Sequence, residues 1–187
     1  GGSFLRMADG SKAEIVDVAP NASVRGWTGA FYVHRIARST GDFLFITPAC
    51  RIEIGQETHV RIDVVDEGST TITVWWGEVV VRTDVGAPLK VGTGKRVFVD
   101  PGYLPSAPVV YDRNIEDDFD AWSRERAETL AKGYDALPTK VIETPVVGSS
   151  TLSSHGDWVY VDSSYYWRPT TVTNYVPYRH GYWSYVP

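Results

Sequence analysis

Only one cysteine, Cys50, and one methionine, Met7, occur in the 187 residues. A single thiol can form neither an internal disulfide nor a multi-cysteine metal site, so cysteine usage leaves the redox compartment open. No apolar run approaches the roughly 18 residues that a membrane-spanning helix requires. Positive charge is also scarce. Lys and Arg number 18 against 23 Asp and Glu, a net charge of −5, the reverse of the balance that phosphate neutralisation imposes on nucleic-acid binders. Catalytic signatures are missing as well. There is no G-x-S-x-G elbow and no H-E-x-x-H, and the four histidines (34, 59, 155 and 180) are far apart in sequence. Gly92-Thr93-Gly94-Lys95 lacks the glycine spacing of a phosphate loop and reads as a turn between short strands. The expectation is a protein without a catalytic centre or a cofactor.

What is present is a globular composition, 43% hydrophobic and 22% charged, with an excess of large rings. Ten of the eighteen Trp and Tyr residues lie between His155 and Pro187, and this asymmetry divides the chain into three regions.

Residues 1–103 read as strands. His59-Val60-Arg61-Ile62-Asp63-Val64 alternates strictly, predicting one apolar face and one wet face. Asp66-Glu67-Gly68-Ser69 supplies a turn, and residues 70–76 resume the alternation with Ile72 and Val74 on one face. Gly77 interrupts, and a β-branched stretch over 78–83 follows. Further strands are expected at 12–18, 30–36, 42–47, 50–54, 89–91 and 96–99. Turn signals every 8–12 residues, with no convincing helix, point to a β-sandwich, barrel or solenoid. Cys50 opens one of these strands and reads as a buried, inert thiol.

Residues 104–154 form a connector that begins with Pro105-Ser106-Ala107-Pro108 and contains one helix over about 114–132. Asn114 is the expected N-cap, with Asp117 in the capping-box position, and the acidic cluster of Glu116, Asp117, Asp118 and Asp120 complements the helix dipole. Ile115, Phe119 and Trp122 fall at i, i+4 and i+7, an apolar stripe that would pack on the sheets. Gly133 is the expected C-terminal stop.

Residues 155–187 hold a repeat: His155-Gly156-Asp157-Trp158-Val159-Tyr160-Val161 matches His180-Gly181-Tyr182-Trp183-Ser184-Tyr185-Val186. Each copy alternates Trp-x-Tyr, so both rings should project from one strand face. Trp158, Tyr160, Trp167, Tyr178, Trp183 and Tyr185 are the candidate contact residues, since Trp and Tyr anchor interfaces at low entropy cost. His155 and His180 stand at equivalent positions and are the candidates for a divalent cation, although local hydrogen bonding is the favoured role. The lack of an initiating methionine and the end of the second copy at Pro187 lead us to expect a mature or truncated product.

The first region resembles the FecR-type domain of bacterial extracytoplasmic proteins. The resemblance rests on Ser3-Phe4-Leu5-Arg6-Met7, Thr47-Pro48-Ala49-Cys50-Arg51-Ile52, the strand Val60-Arg61-Ile62-Asp63-Val64 and Thr73-Val74-Trp75-Trp76-Gly77-Glu78-Val79-Val80-Val81. Asp118-Phe119-Asp120-Ala121-Trp122-Ser123-Arg124-Glu125-Arg126 resembles the helix that follows this domain in one subfamily, and the tail resembles a Tyr/Trp-rich repeat family of unknown function found downstream. The resemblance implies a mainly β fold: a FecR-like sandwich or solenoid lacking its N-terminal part, a connecting helix and an aromatic β-repeat tail. It also implies a periplasmic, cell-surface or secreted location. The expected function is a non-catalytic interaction or assembly module, such as a filament or envelope-complex subunit. Its partner would be a second copy or another envelope protein; the alternative is polysaccharide stacked on the Trp and Tyr rings. Neither nucleic acid nor a membrane span is expected.

Overall fold

The computed structural model describes residues 3–18, 20–37, 39, 41–143 and 148–170. These fall into two units that divide between Ser123 and Arg124. Among the described residues the fold is mainly β, with one long α-helix and two short ones.

The first unit is built around one strand. β3 (Ala22–Arg35) is 14 residues long and serves two half-sheets. Its C-terminal half pairs with β1 (Ser3–Met7) on one side and β6 (Thr58–Val64) on the other. Beyond β6 come β7 (Thr70–Trp76), β10 (Lys95–Val99) and β11 (Val109–Val110). The N-terminal half of β3 pairs with β2 (Lys12–Asp17) and, in parallel, with β4 (Phe43–Ile46). The second half-sheet continues through β5 (Arg51–Ile54), β8 (Glu78–Arg82) and β9 (Leu89–Gly92). Apart from β3–β4 the pairing is antiparallel, so this is a curled sheet around one core, not the parallel coils of a solenoid.

Alternation along each strand sends one side chain in two inward. Phe31, Val33, Val60, Ile62, Ile72, Val74 and Val97 from one half meet Phe45, Ile52, Val79, Val81 and Val91 from the other, and all are fully or almost fully buried. Each such aliphatic or aromatic side chain contributes about 1.5–3 kcal/mol by leaving water. Gly26 lies where the halves diverge. A Cβ there would sit 2.7 Å from the Phe45 ring and 3.0 Å from Phe31, so the bend requires a residue without a side chain. Cys50 is buried in this core, and desolvation raises its thiol pKa to about 11, partly offset by Thr47, as an inert thiol requires.

The expected strands are present, with one large extension: β3 begins eight residues before the expected Ala30. Glycines 26 and 29 break the alternation there and conceal the strand. The expected helix is displaced. α1 spans Asp118–Asp135, and its capping box is formed by Asp117 and Asp120 instead of Asn114 and Asp117. The Asp120 N–H donates to Asp117 Oδ1 at 2.8 Å, and the Asp117 N–H donates to Asp120 Oδ2 at 3.0 Å. Asn114 instead closes a local turn, its N–H donating to Asp112 Oδ1. Gly133 does not end the helix. It lies inside α1, where a Cβ would collide with the Ser150 backbone.

The second unit comprises the rest of α1, α2 (Thr139–Glu143), α3 (Ser149–Leu152) and a hairpin of β12 (Gly156–Val161) and β13 (Ser164–Pro169). Asp162 and Ser163 join the two strands with φ of 48° and 66°. Both values are positive, the signature of a two-residue type I′ turn whose twist suits a hairpin.

Candidate interaction sites

The aromatic repeat forms its hairpin by pairing the first copy with the segment that follows it. Trp158 faces Trp167, and Tyr160 faces Tyr165 with ring centroids 4.9 Å apart. The Trp-x-Tyr spacing thus places four rings on one face, as the alternation predicts. Both indoles are tied down within the unit: Trp158 Nε1–H donates to Ser153 Oγ at 3.1 Å, and Trp167 Nε1–H donates to the Leu152 carbonyl at 2.8 Å. Trp158 and Trp167 are therefore half-buried anchors. Tyr160 is 55% exposed, with the Lys140 ammonium 5.8 Å from its ring. On the opposite face Tyr166 is 56% exposed, beside an Asp157–Arg168 ion pair. Tyr166 was not among the candidates, because the Trp-x-Tyr period of the repeat does not reach it. Tyr178, Trp183, Tyr185 and His180 lie outside the described residues. His155 directly precedes β12, and among the described residues no group of three or more His, Cys, Asp or Glu is placed to hold a metal.

The second notable surface is the outer face of β1, β3, β6 and β7, the side turned away from the core. Arg6, Tyr32, His34, His59 and Arg61 lie here through strand register. The sequence reading made His59, Arg61 and Asp63 a wet face, and the structure corrects this. His59 is 6% exposed and Tyr32 1%, because residues 111–122 cross over part of this face. A bulge in β7 adds to the cover. His59 pairs with Trp76 and Val60 with Val74, so Trp75 is the extra residue, and both indoles turn to the outer side. Trp76 lies 4.5 Å from His59, and Trp75 lies 5.7 Å from Tyr111, centroid to centroid.

Charge is concentrated where the start of α1 meets this face. Arg61 Nε donates to both Asp63 oxygens at 3.0 Å, while its Nη1 pairs with Asp117 at 2.8 Å and Asp120 at 2.5 Å. The Tyr32 hydroxyl donates to Asp120 at 2.5 Å. Burial alone would lower the Arg61 pKa, but the surrounding carboxylates outweigh it and the net shift is upward. Burial and then the bond to Asp120 raise the Tyr32 pKa. Burial works against the Asp117 carboxylate, yet the Asp120 N–H and Arg61 hold its pKa below the usual range. Burial dominates at Asp63, whose pKa is raised despite Arg61. The acidic cluster at the head of the helix is thus a latch that fastens this segment to the sheet.

The predicted packing stripe is only partly realised. Phe119 packs 5.3 Å from Tyr32, under the Arg61 guanidinium, and stacks on Trp122 at 6.0 Å. Ile115 does not pack: it precedes the helix and is 75% exposed, because the shifted cap removes it from the helical period.

No family model matches the chain, and no curated protein matches it. Its fold is shared with two solved structures from Parabacteroides distasonis ATCC 8503, each provisionally described as an anti-sigma factor. One superposes with a TM-score of 0.52 over 65% of this chain and 56% of that chain, the other with 0.50 over 59% and 52%, both at 10% identity. The chain therefore spans just over half the length of these structures. The likeness defines a fold class, a curled β sheet found in proteins so described.

Proposed function

We propose that this chain is a non-catalytic, extracytoplasmic protein-interaction module of the FecR type, with the aromatic hairpin as its contact surface. The observation that carries the reading is the hairpin itself. Its indoles are fixed by hydrogen bonds within the unit, while Tyr160, Val161 and Tyr166 stay half or more exposed on a two-stranded sheet. Rigid rings on a fixed base lose little entropy when a partner covers them. Both outer edges of the hairpin are unpaired among the described residues, so a partner strand can add by main-chain hydrogen bonds. The FecR resemblance and the fold shared with anti-sigma-like structures support a role in an envelope assembly, with a second copy or another envelope protein as partner.

The test compares the intact chain with a Tyr160→Ser/Tyr166→Ser double variant, by light scattering after size exclusion and by capture on immobilised chain. The wild type should self-associate or capture a stoichiometric envelope protein, and the variant should do neither. Equal behaviour of the two overturns the reading. Saturable quenching of Trp fluorescence by peptidoglycan or an exopolysaccharide, with no protein captured, would replace the protein partner with a glycan.

A further inference from the structure

Arg6 on β1 is 7% exposed, and neither Nη1 nor Nη2 has a hydrogen-bond partner. Among the described residues its favourable contact is with the Phe4 ring, 6.0 Å from the guanidinium carbon. The two groups beside it are also short of partners. Both ring nitrogens of His59 and the Nδ1 of His34 are buried without hydrogen bonds, and the two imidazoles lie 5.2 Å apart. Burial and then the Arg6 charge depress proton binding at His34; at His59 burial, His34 and Arg6 act together. Most carboxylates of this region are committed elsewhere; Glu57, which lines the same groove as His34, forms no ion pair with Arg6 among the described residues. Asp63, Asp117 and Asp120 are held by Arg61, and Glu78 is held by Lys90. Arg6 forms no ion pair among the described residues. A buried guanidinium without a counter-charge costs several kcal/mol, and buried polar groups left open in a folded protein call for a missing partner. Among the described residues β1 pairs only with β3, so this strand forms the rim of its half-sheet.

We infer that Arg6, backed by His34 and His59, is a receptor for a carboxylate or a comparable oxyanion supplied by another molecule. A guanidinium matches a carboxylate with two parallel N–H bonds, and a neutral imidazole has one N–H to add. The source of the group is either an acidic side chain of a protein partner or a small free anion. This inference does not depend on the hairpin, and hairpin variants should leave it unchanged.

The experiment uses the intact chain in a buffer without carboxylate or phosphate. Guanidinium and imidazole nitrogen resonances are followed while sodium acetate, inorganic phosphate or an end-capped hexaglutamate peptide is added. At least one probe should shift the Arg6, His34 and His59 signals saturably, and Arg6→Gln should weaken that probe by about tenfold or more. A response to the peptide alone assigns the anion to a protein partner; an equal response to acetate or phosphate assigns a free anion. No saturable shift with any probe, or shifts unaltered by Arg6→Gln, overturns the inference. Arg6→Met guards against a folding artefact. With the charge and its unpaired N–H donors removed, its melting temperature in probe-free buffer should equal or exceed that of the wild type. A steep loss of stability in that variant would show that the chain already supplies the partner, which also overturns the inference.

Discussion

The two units use large rings in opposite ways. In the first, Tyr32, His59, Trp75 and Trp76 lie side by side across neighbouring strands, and a following segment, latched by Arg61, covers part of the row. In the second, Trp158, Trp167, Tyr160 and Tyr165 line up on a hairpin, and part of the ring surface stays in water. The sheet unit has a separate aliphatic core, so its aromatic face serves to hold a neighbouring segment. Among the described residues the hairpin has no such core, so its rings stabilise it while part of their surface stays open for the proposed contact. A ladder of rings is therefore covered or left exposed according to what the chain folds over it.

Removing the latch is the strongest way to break this contrast. Arg61→Ala leaves Asp63 and Asp120 partly or fully buried without their cation, and should cost roughly 3–5 kcal/mol in urea unfolding. A loss below about 1 kcal/mol would show that the covering segment does not depend on it.

Acid should weaken the same face by a different route. The His59 pKa is lowered to about 3 from an ordinary 6.5. Between those values the unfolded chain binds a proton that the folded chain refuses, so stability falls as pH drops, by about 1 kcal/mol per pH unit. His34, shifted the same way, adds to this. Asp117, lowered in the fold, extends the loss at more acid pH, while the raised Asp63 opposes it. Thermal melts from pH 7 to 4 should show the decline, and His59→Gln should flatten it.

A smaller effect tests the cap. Asp117→Ala removes one acceptor of the capping box and one arm of the Arg61 cluster, and should cost about 1 kcal/mol by urea unfolding. The smallest effect sharpens the contrast from the other unit. Tyr166→Ser should change stability by no more than about 0.5 kcal/mol, because the ring is exposed, yet it should weaken partner capture. A large loss of stability would mean that Tyr166 supports the fold and is not an interaction residue.

The positions of most strands could be read from the chain, because strict alternation at 59–64 and 70–74 has only one local solution. The hairpin face was legible for the same reason: Trp-x-Tyr spacing puts both rings on one side. The outer site was not legible. His59, Arg61 and Asp63 carry the same polar signal whether their face is wet or covered, and nothing local announces that residues 111–122 return over it. The bulge at Trp75 was equally hidden, because a one-residue insertion in a β-branched and aromatic run leaves the composition of a strand unchanged. The helix cap moved by three residues because Asp120 can serve two partners at once, closing the box and binding Arg61 and Tyr32. Only the assembled sheet offers that second reward.

Local pattern by itself determined that this protein is mainly β, that one helix follows the sheets, and that the first aromatic repeat presents its rings on one side. Periodicity settles these points because side-chain direction is a property of neighbouring residues. Which polar face becomes buried, where β3 bends, and which charges are left without partners were decided only in the folded chain. Those outcomes depend on contacts between residues up to 88 positions apart, such as Tyr32 and Asp120, and no local pattern encodes such a contact.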